Sequence, residues 1–208
     1  MPRQNRVNPF GELIATEGRG ALMGNRGILH DEYGNLTNRR WAHQNWVTCS
    51  LDTKGPKRKL MAPGNYTELF FWDEATALAS GHRPCWECRR DNYLRFREAW
   101  LRGNPDAGCD DTTSMSVIDR IIHSERVTPT REKVTYPSLL AGLPDGVFVS
   151  LPELPTEALL IKDGLMYPWQ PEGYGKPMPV VPGRTVVVLT PHSIVNAIIA
   201  GYRPSVAL

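Results

Sequence analysis

Two cysteines two residues apart, in the stretch SGHRPCWECRRD at positions 80–91, carry the most specific chemistry in this chain. Thiolates spaced as Cys85-Trp86-Glu87-Cys88 at a helix start can converge on one metal ion, and the backbone N–H groups there stabilise their charge. The same geometry lowers a thiol pKa for redox work, and two buried free thiols are a third reading. No thioredoxin-like strand–helix–strand pattern surrounds the pair, so metal binding is the reading carried forward. Two basic groups could contact phosphates: Lys54, Lys57, Arg58 and Lys59 in one, and Arg89, Arg90, Arg95, Arg97 and Arg102 in the other. Basic runs of this kind are usually solvated faces, and each group reads as one. His123 and Glu125, in IIHSER, have the types needed for acid–base work, with Glu68, Asp73 and Glu74 near the cysteine pair in sequence.

The elements that must position these groups are short. GELIAT and NWVTCSLD have strand composition, HDEYGNL and DTKGPKRK suit turns, and the latter reads as a hairpin tip. GRGALMGNRG lacks the Lys-Ser/Thr ending of a phosphate loop and reads as a set of tight turns. TELFFWDEATALASG predicts a strand, an N-cap at Asp73, a brief helix through Ala79 and a stop at Gly81. A second helix is expected from Cys85 to Leu101, with Tyr93, Phe96 and Trp100 on its core face. RGNPDAGCDDTTSMS reads as a linker, dividing the chain into residues 1–104 and 115–208. Past it, SVIDRIIHSE predicts a helix with Ile118, Ile121 and Ile122 inward. DGVFVSL, ALLIKDGLMYPW and GRTVVVLT predict strands, the middle one a hairpin about Lys162-Asp163-Gly164. A last helix is expected with Thr190 as N-cap, Pro191 as first residue and Gly201 as stop. The fold class is α+β: an N-terminal half of hairpin and helices supported by zinc, and a mixed strand and helix C-terminal half. Gly-aromatic-Arg-Pro recurs at 81–84 and 201–204 after a strand and a short helix. The turn thus serves as a helix exit without metal nearby, and only the cysteines distinguish its first copy.

EATALASGHRPCWECRRD resembles the second half of the N-terminal zinc domain of Ada-type methyl-phosphotriester repair proteins, over about residues 45–95. The resemblance implies a third cysteine ligand at the end of an upstream strand, and Cys49 in WVTCSLD matches that position. The family's other upstream ligand has no counterpart, since positions 50–56 read Ser-Leu-Asp-Thr-Lys-Gly-Pro. For the fourth ligand His43 is taken, although a straight strand would separate it from Cys49 by about 20 Å. His82, His123, Cys109 and Asp52 are the alternatives, and His82 falls on the family's packing aromatic. In the family a zinc-bound cysteine accepts a methyl group. Four thiolates on Zn²⁺ carry a net charge of about −2, whereas three with a histidine carry about −1 and make a weaker nucleophile.

Composition excludes few classes. With 41% hydrophobic residues and 22% charged, 208 residues are enough for a sizeable core, and the formal net charge of +2 signals no polyanion partner by itself. No apolar run approaches the 18 or so residues of a membrane span, and MPRQNRVNPFGELIA lacks the apolar core of a secretion signal, so a cytoplasmic location is expected. The leading expectation is a zinc protein that binds DNA or RNA through Lys57, Arg58, Lys59, Arg89 and Arg90. Methyl transfer to Cys49, an enzyme with a cleft between the halves, and a structural or partner-binding zinc protein are the alternatives.

Overall fold

The computed structural model describes residues 2–52 and 59–208. Strands β1 (Gln4–Val7), β2 (Leu13–Ala15), β3 (Leu22–Asn25), β4 (Val47–Cys49) and β5 (Leu69–Phe71) precede helix α1 (Glu74–Ala79), then β6 (Arg83–Pro84) and α2 (Arg90–Gly103). Beyond a 3₁₀ turn at Pro105–Ala107 come α3 (Met115–Arg126), β7 (Tyr136–Leu139), β8 (Phe148–Leu151), β9 (Leu154–Lys162), β10 (Leu165–Gln170), β11 (Gly173–Tyr174), β12 (Met178–Pro179), β13 (Thr185–Val188) and α4 (His192–Ile199). The architecture is α+β. One mixed sheet runs β2-β1-β5-β3-β4-β6, and a second, antiparallel throughout, runs β11-β10-β9-β8-β13-β7 with β12 on β10.

Helix α1 explains its own composition. Every one of its residues, EATALA, is buried. Ala77 faces the core of the first sheet with Leu69 and Phe71, Leu78 enters the main core, and Ala75 and Ala79 pack with Phe148 and Leu160 of the second sheet. Its three alanines let neighbouring elements approach the helix on several sides. Asp73 caps it as expected, accepting from the Thr76 N–H at 2.8 Å. It ends in a Schellman turn: Gly81 N–H donates to Leu78 O and His82 N–H to Ala77 O, with Gly81 at φ +84°. A Cβ on Gly81 would also come within 2.4 Å of Arg126 Cδ. Helix α4 ends the same way, Gly201 donating to Ile198 O and Tyr202 to Ala197 O, so the repeated Gly-aromatic-Arg-Pro is one device used twice.

The main core takes Phe96, Ala99 and Trp100 from α2, Ile118 and Ile122 from α3, and Ile194, Ala197 and Ile198 from α4, together with strands β8, β9 and β13. Residues on both sides of 105–114 therefore share it. The turn Asp163-Gly164, at φ +50° and +74°, closes the β9–β10 hairpin with Lys162 opposite Leu165.

Three local expectations are corrected. The glycine-rich stretch contains β3, an interior strand of the first sheet. Gly24 is needed there because a Cβ would lie 2.2 Å from the Val47 carbonyl, so this glycine marks close approach of backbones and not a turn. Helix α2 starts at Arg90, not Cys85, leaving both cysteines in the turn ahead of it. Helix α4 starts at His192, since the Thr190 hydroxyl accepts from Phe148 N–H. Glu125 of α3 caps α4 in its place, accepting from Ser193 N–H at 3.0 Å and from its hydroxyl at 2.5 Å. The expected hairpin tip at DTKGPKRK lies mostly outside the described residues. Among those described, no helix is long and apolar enough to cross a membrane.

Candidate metal centre

The cysteines meet because two short strands run parallel. Pairing of Val47 with Arg83 and of Thr48 with Pro84 places the next residue of each strand, Cys49 and Cys85, side by side. The Cys85 N–H donates to Thr48 O at 2.9 Å, which fixes this register beyond the last pair. Cys88 returns to the same place through a turn in which Arg89 N–H donates to Cys85 O at 3.1 Å. The three Sγ atoms lie within 4.8 Å of one another, and each cysteine is half-buried.

That donor set fits a thiophilic ion. Zn–S bonds of about 2.3 Å in tetrahedral array place sulfurs about 3.8 Å apart, inside the 4.8 Å that spans the cluster here. Without an ion, the surroundings favour a thiolate at one of the three sulfurs. The Cys85 thiol is pulled down by the hydrogen bond from Cys49 and by the N–H groups of Cys88 and Glu87, whereas donating that bond, with burial, pushes Cys49 up. Cys88, raised mainly by burial, receives the Ser50 N–H.

No histidine, carboxylate or further cysteine among the described residues joins the three sulfurs. Residues 1 and 53–58 are of none of those types. His43, expected as the fourth ligand, has its Nε2 3.2 Å from Asn25 Oδ1, beside Gly27. His82 is fully enclosed, with Nδ1 3.0 Å from the Ser80 hydroxyl and Nε2 accepting from Arg26 at 3.3 Å, and it packs on Phe71 and Trp46. His123 packs edge-on against Trp41 and Trp46 and accepts from Arg126 at Nδ1. The Cys109 thiol donates to Ala107 O at 3.6 Å.

Arg89 is engaged inside the fold. Its guanidinium donates to Thr48 Oγ1 at 2.8 Å and to Glu74 Oε1 at 2.7 Å, and its side chain is only 9% exposed. It thereby ties the cysteine turn to α1 and β4. Arg90 and Lys59 are exposed, and Arg90 lies 4.2 Å over the ring of Trp86, itself 44% exposed. Lys57 and Arg58 lie outside the described residues. The carboxylates considered for acid–base work have structural partners. Asp73 also accepts from Tyr174 OH and Ala207 N–H, while Glu74 accepts from Tyr202 OH at 2.6 Å and Ser205 N–H at 3.0 Å.

Sequence reading missed a cluster of buried cations behind β4. Arg26 and Arg126 lie 4.1 and 3.7 Å from the Trp46 ring centre, and the Lys133 ammonium donates to Ala79 O. One signal was present: Arg126 continues the inward i, i+4 series Ile118, Ile122 on α3, a position where an arginine is out of place unless something holds it. Comparison of the chain with protein-family models, with curated proteins and with solved structures gives no match.

Proposed function

We propose that this chain is a zinc-binding protein in which Cys49, Cys85 and Cys88 hold the ion as thiolates, and that it binds DNA or RNA beside that centre. The convergence of three sulfurs within 4.8 Å carries the metal reading. Bound there, the ion joins β4 to the turn that starts α2, and zinc's tetrahedral preference leaves a position for a donor beyond the three. The nucleic-acid reading is supported by Arg90 stacked on exposed Trp86 next to the cysteine turn. An exposed cation on an aromatic face offers both a phosphate contact and a stacking surface.

Protein purified without chelator should contain about one Zn²⁺ per chain, and its Co²⁺ form should show thiolate-to-metal charge transfer. Cys49→Ser, Cys85→Ser and Cys88→Ser should each lose most of the metal, while His43→Ala and Cys109→Ser keep it. Full zinc content in Cys49→Ser would reject the centre. For the second part, affinity for a short single strand should fall steeply with salt and drop on Arg90→Ala or Trp86→Ala. Absence of binding at low salt, with zinc present, removes nucleic acid and leaves the metal centre standing.

A further inference from the structure

We propose that the cavity behind β4, walled by the first sheet and the segment that follows α3, binds a small molecule carrying a phosphate monoester. This goes beyond the metal centre and rests on different residues. The cavity has a volume of about 560 Å³, within the range of small-molecule sites. Arg26, Arg126 and Lys133 contribute to its wall, Arg40 and Arg131 are exposed lining residues, and Glu12 and Glu132 are its two carboxylates, both exposed.

The decisive group is Arg26. It is 3% exposed, and its Nη2 has no hydrogen-bond partner among the described residues, although Nε donates to His82 and Nη1 to Gly11 O. A buried guanidinium nitrogen left without an acceptor is costly unless something supplies one. Among the described residues no carboxylate is within ion-pair distance of Arg26, Arg126 or Lys133. These cations press on one another: burial, then Arg26 and Arg126, push the Lys133 ammonium down to about 7.

A group of roughly −1.5 to −2 charge with three acceptor oxygens answers that field better than a carboxylate of −1. The remaining wall, Phe10, Leu13, Ile14 and Trp41 with the buried Trp46, suits an apolar or aromatic body. A cavity of this volume with the buried Arg26 in its wall favours a small molecule over a polymer strand.

The test is calorimetric titration of the full chain, zinc included, at low ionic strength with inorganic phosphate, adenosine 5′-monophosphate and adenosine, and with a short oligonucleotide. Phosphate and the monophosphate should bind saturably and compete, with adenosine at least tenfold weaker. Arg26→Met should weaken phosphate at least tenfold. Arg40→Ala, at an exposed position, should weaken it severalfold while leaving the urea midpoint unchanged, as Arg40 adds to the field at Arg26. Adenosine binding as well as its monophosphate, a phosphate response equal in wild type and both variants, or no phosphate response at all overturns the proposal. Oligonucleotide binding with no response to phosphate or monophosphate overturns it too.

Discussion

Single residues in this chain carry unusually definite jobs, and Gly81 has two. Its φ of +84° disfavours any side chain, and the space a Cβ would take is filled by Arg126, whose guanidinium donates to the Gly81 carbonyl at 2.7 Å. Gly81→Ala should therefore cost about 3 kcal/mol in urea unfolding, conformational strain and overpacking together. Gly164→Ala, at φ +74° but in open space, should cost only about 1 kcal/mol. Equal costs would mean that Arg126 yields freely. His82 and His123 set a second expectation. Burial is the main cause of both shifts; it holds His82 well below its usual range and, with Arg126 adding, His123 down to about 4. Both are neutral in the folded chain at pH 6, whereas unfolded histidine takes a proton below about 6.5. The unfolded chain then binds more protons, so stability present above pH 6.5 should fall as pH drops toward 4. Urea midpoints measured from pH 7 to 4 check this, and His82→Phe should flatten the slope.

Elements show which parts of the fold could be read without coordinates. Asp73 as cap, Gly81 and Gly201 as stops, and Asp163-Gly164 as a two-residue turn were legible because each depends on local backbone chemistry. Strand β3 was not, since the reason for Gly24 is the Val47 carbonyl, 23 positions away in sequence. The start of α2 was misplaced because nothing local distinguishes a turn held by converging sulfurs from a first helical turn. Thr190 failed as a cap for a related reason: Phe148 takes its hydroxyl, and Glu125 reaches across from α3 instead. At the site, the cysteine pair was visible by spacing, and Cys49 only through resemblance. The cation cluster joins two stretches about a hundred residues apart, Arg26 and the run from Arg126 to Lys133, and its one local trace was Arg126 on an inward helical position.

At the scale of the molecule, the helices bind the two sheets together. Arg83 of β6 and Asp119 of α3 form a two-point pair, Nε to Oδ1 at 2.9 Å and Nη2 to Oδ2 at 2.7 Å, with Asp119 wholly buried. Removing one partner leaves the other charged in the interior, so Asp119→Ala should cost about 3–5 kcal/mol, while Arg83→Met with Asp119→Leu should recover most of that. Unfolding curves for the three proteins decide it; an additive loss in the double variant would show that the pair does not act as a unit. Strand β6, at the end of the first sheet, has a further consequence. It is two residues long and offers another chain almost no backbone to pair with. Were it to part from β4, Val47–Cys49 would become the rim of the sheet, a template for intermolecular pairing that also carries a thiol able to cross-link. The seam that gathers the sulfurs thus also guards the molecule against aggregation, through backbone and cysteine alike.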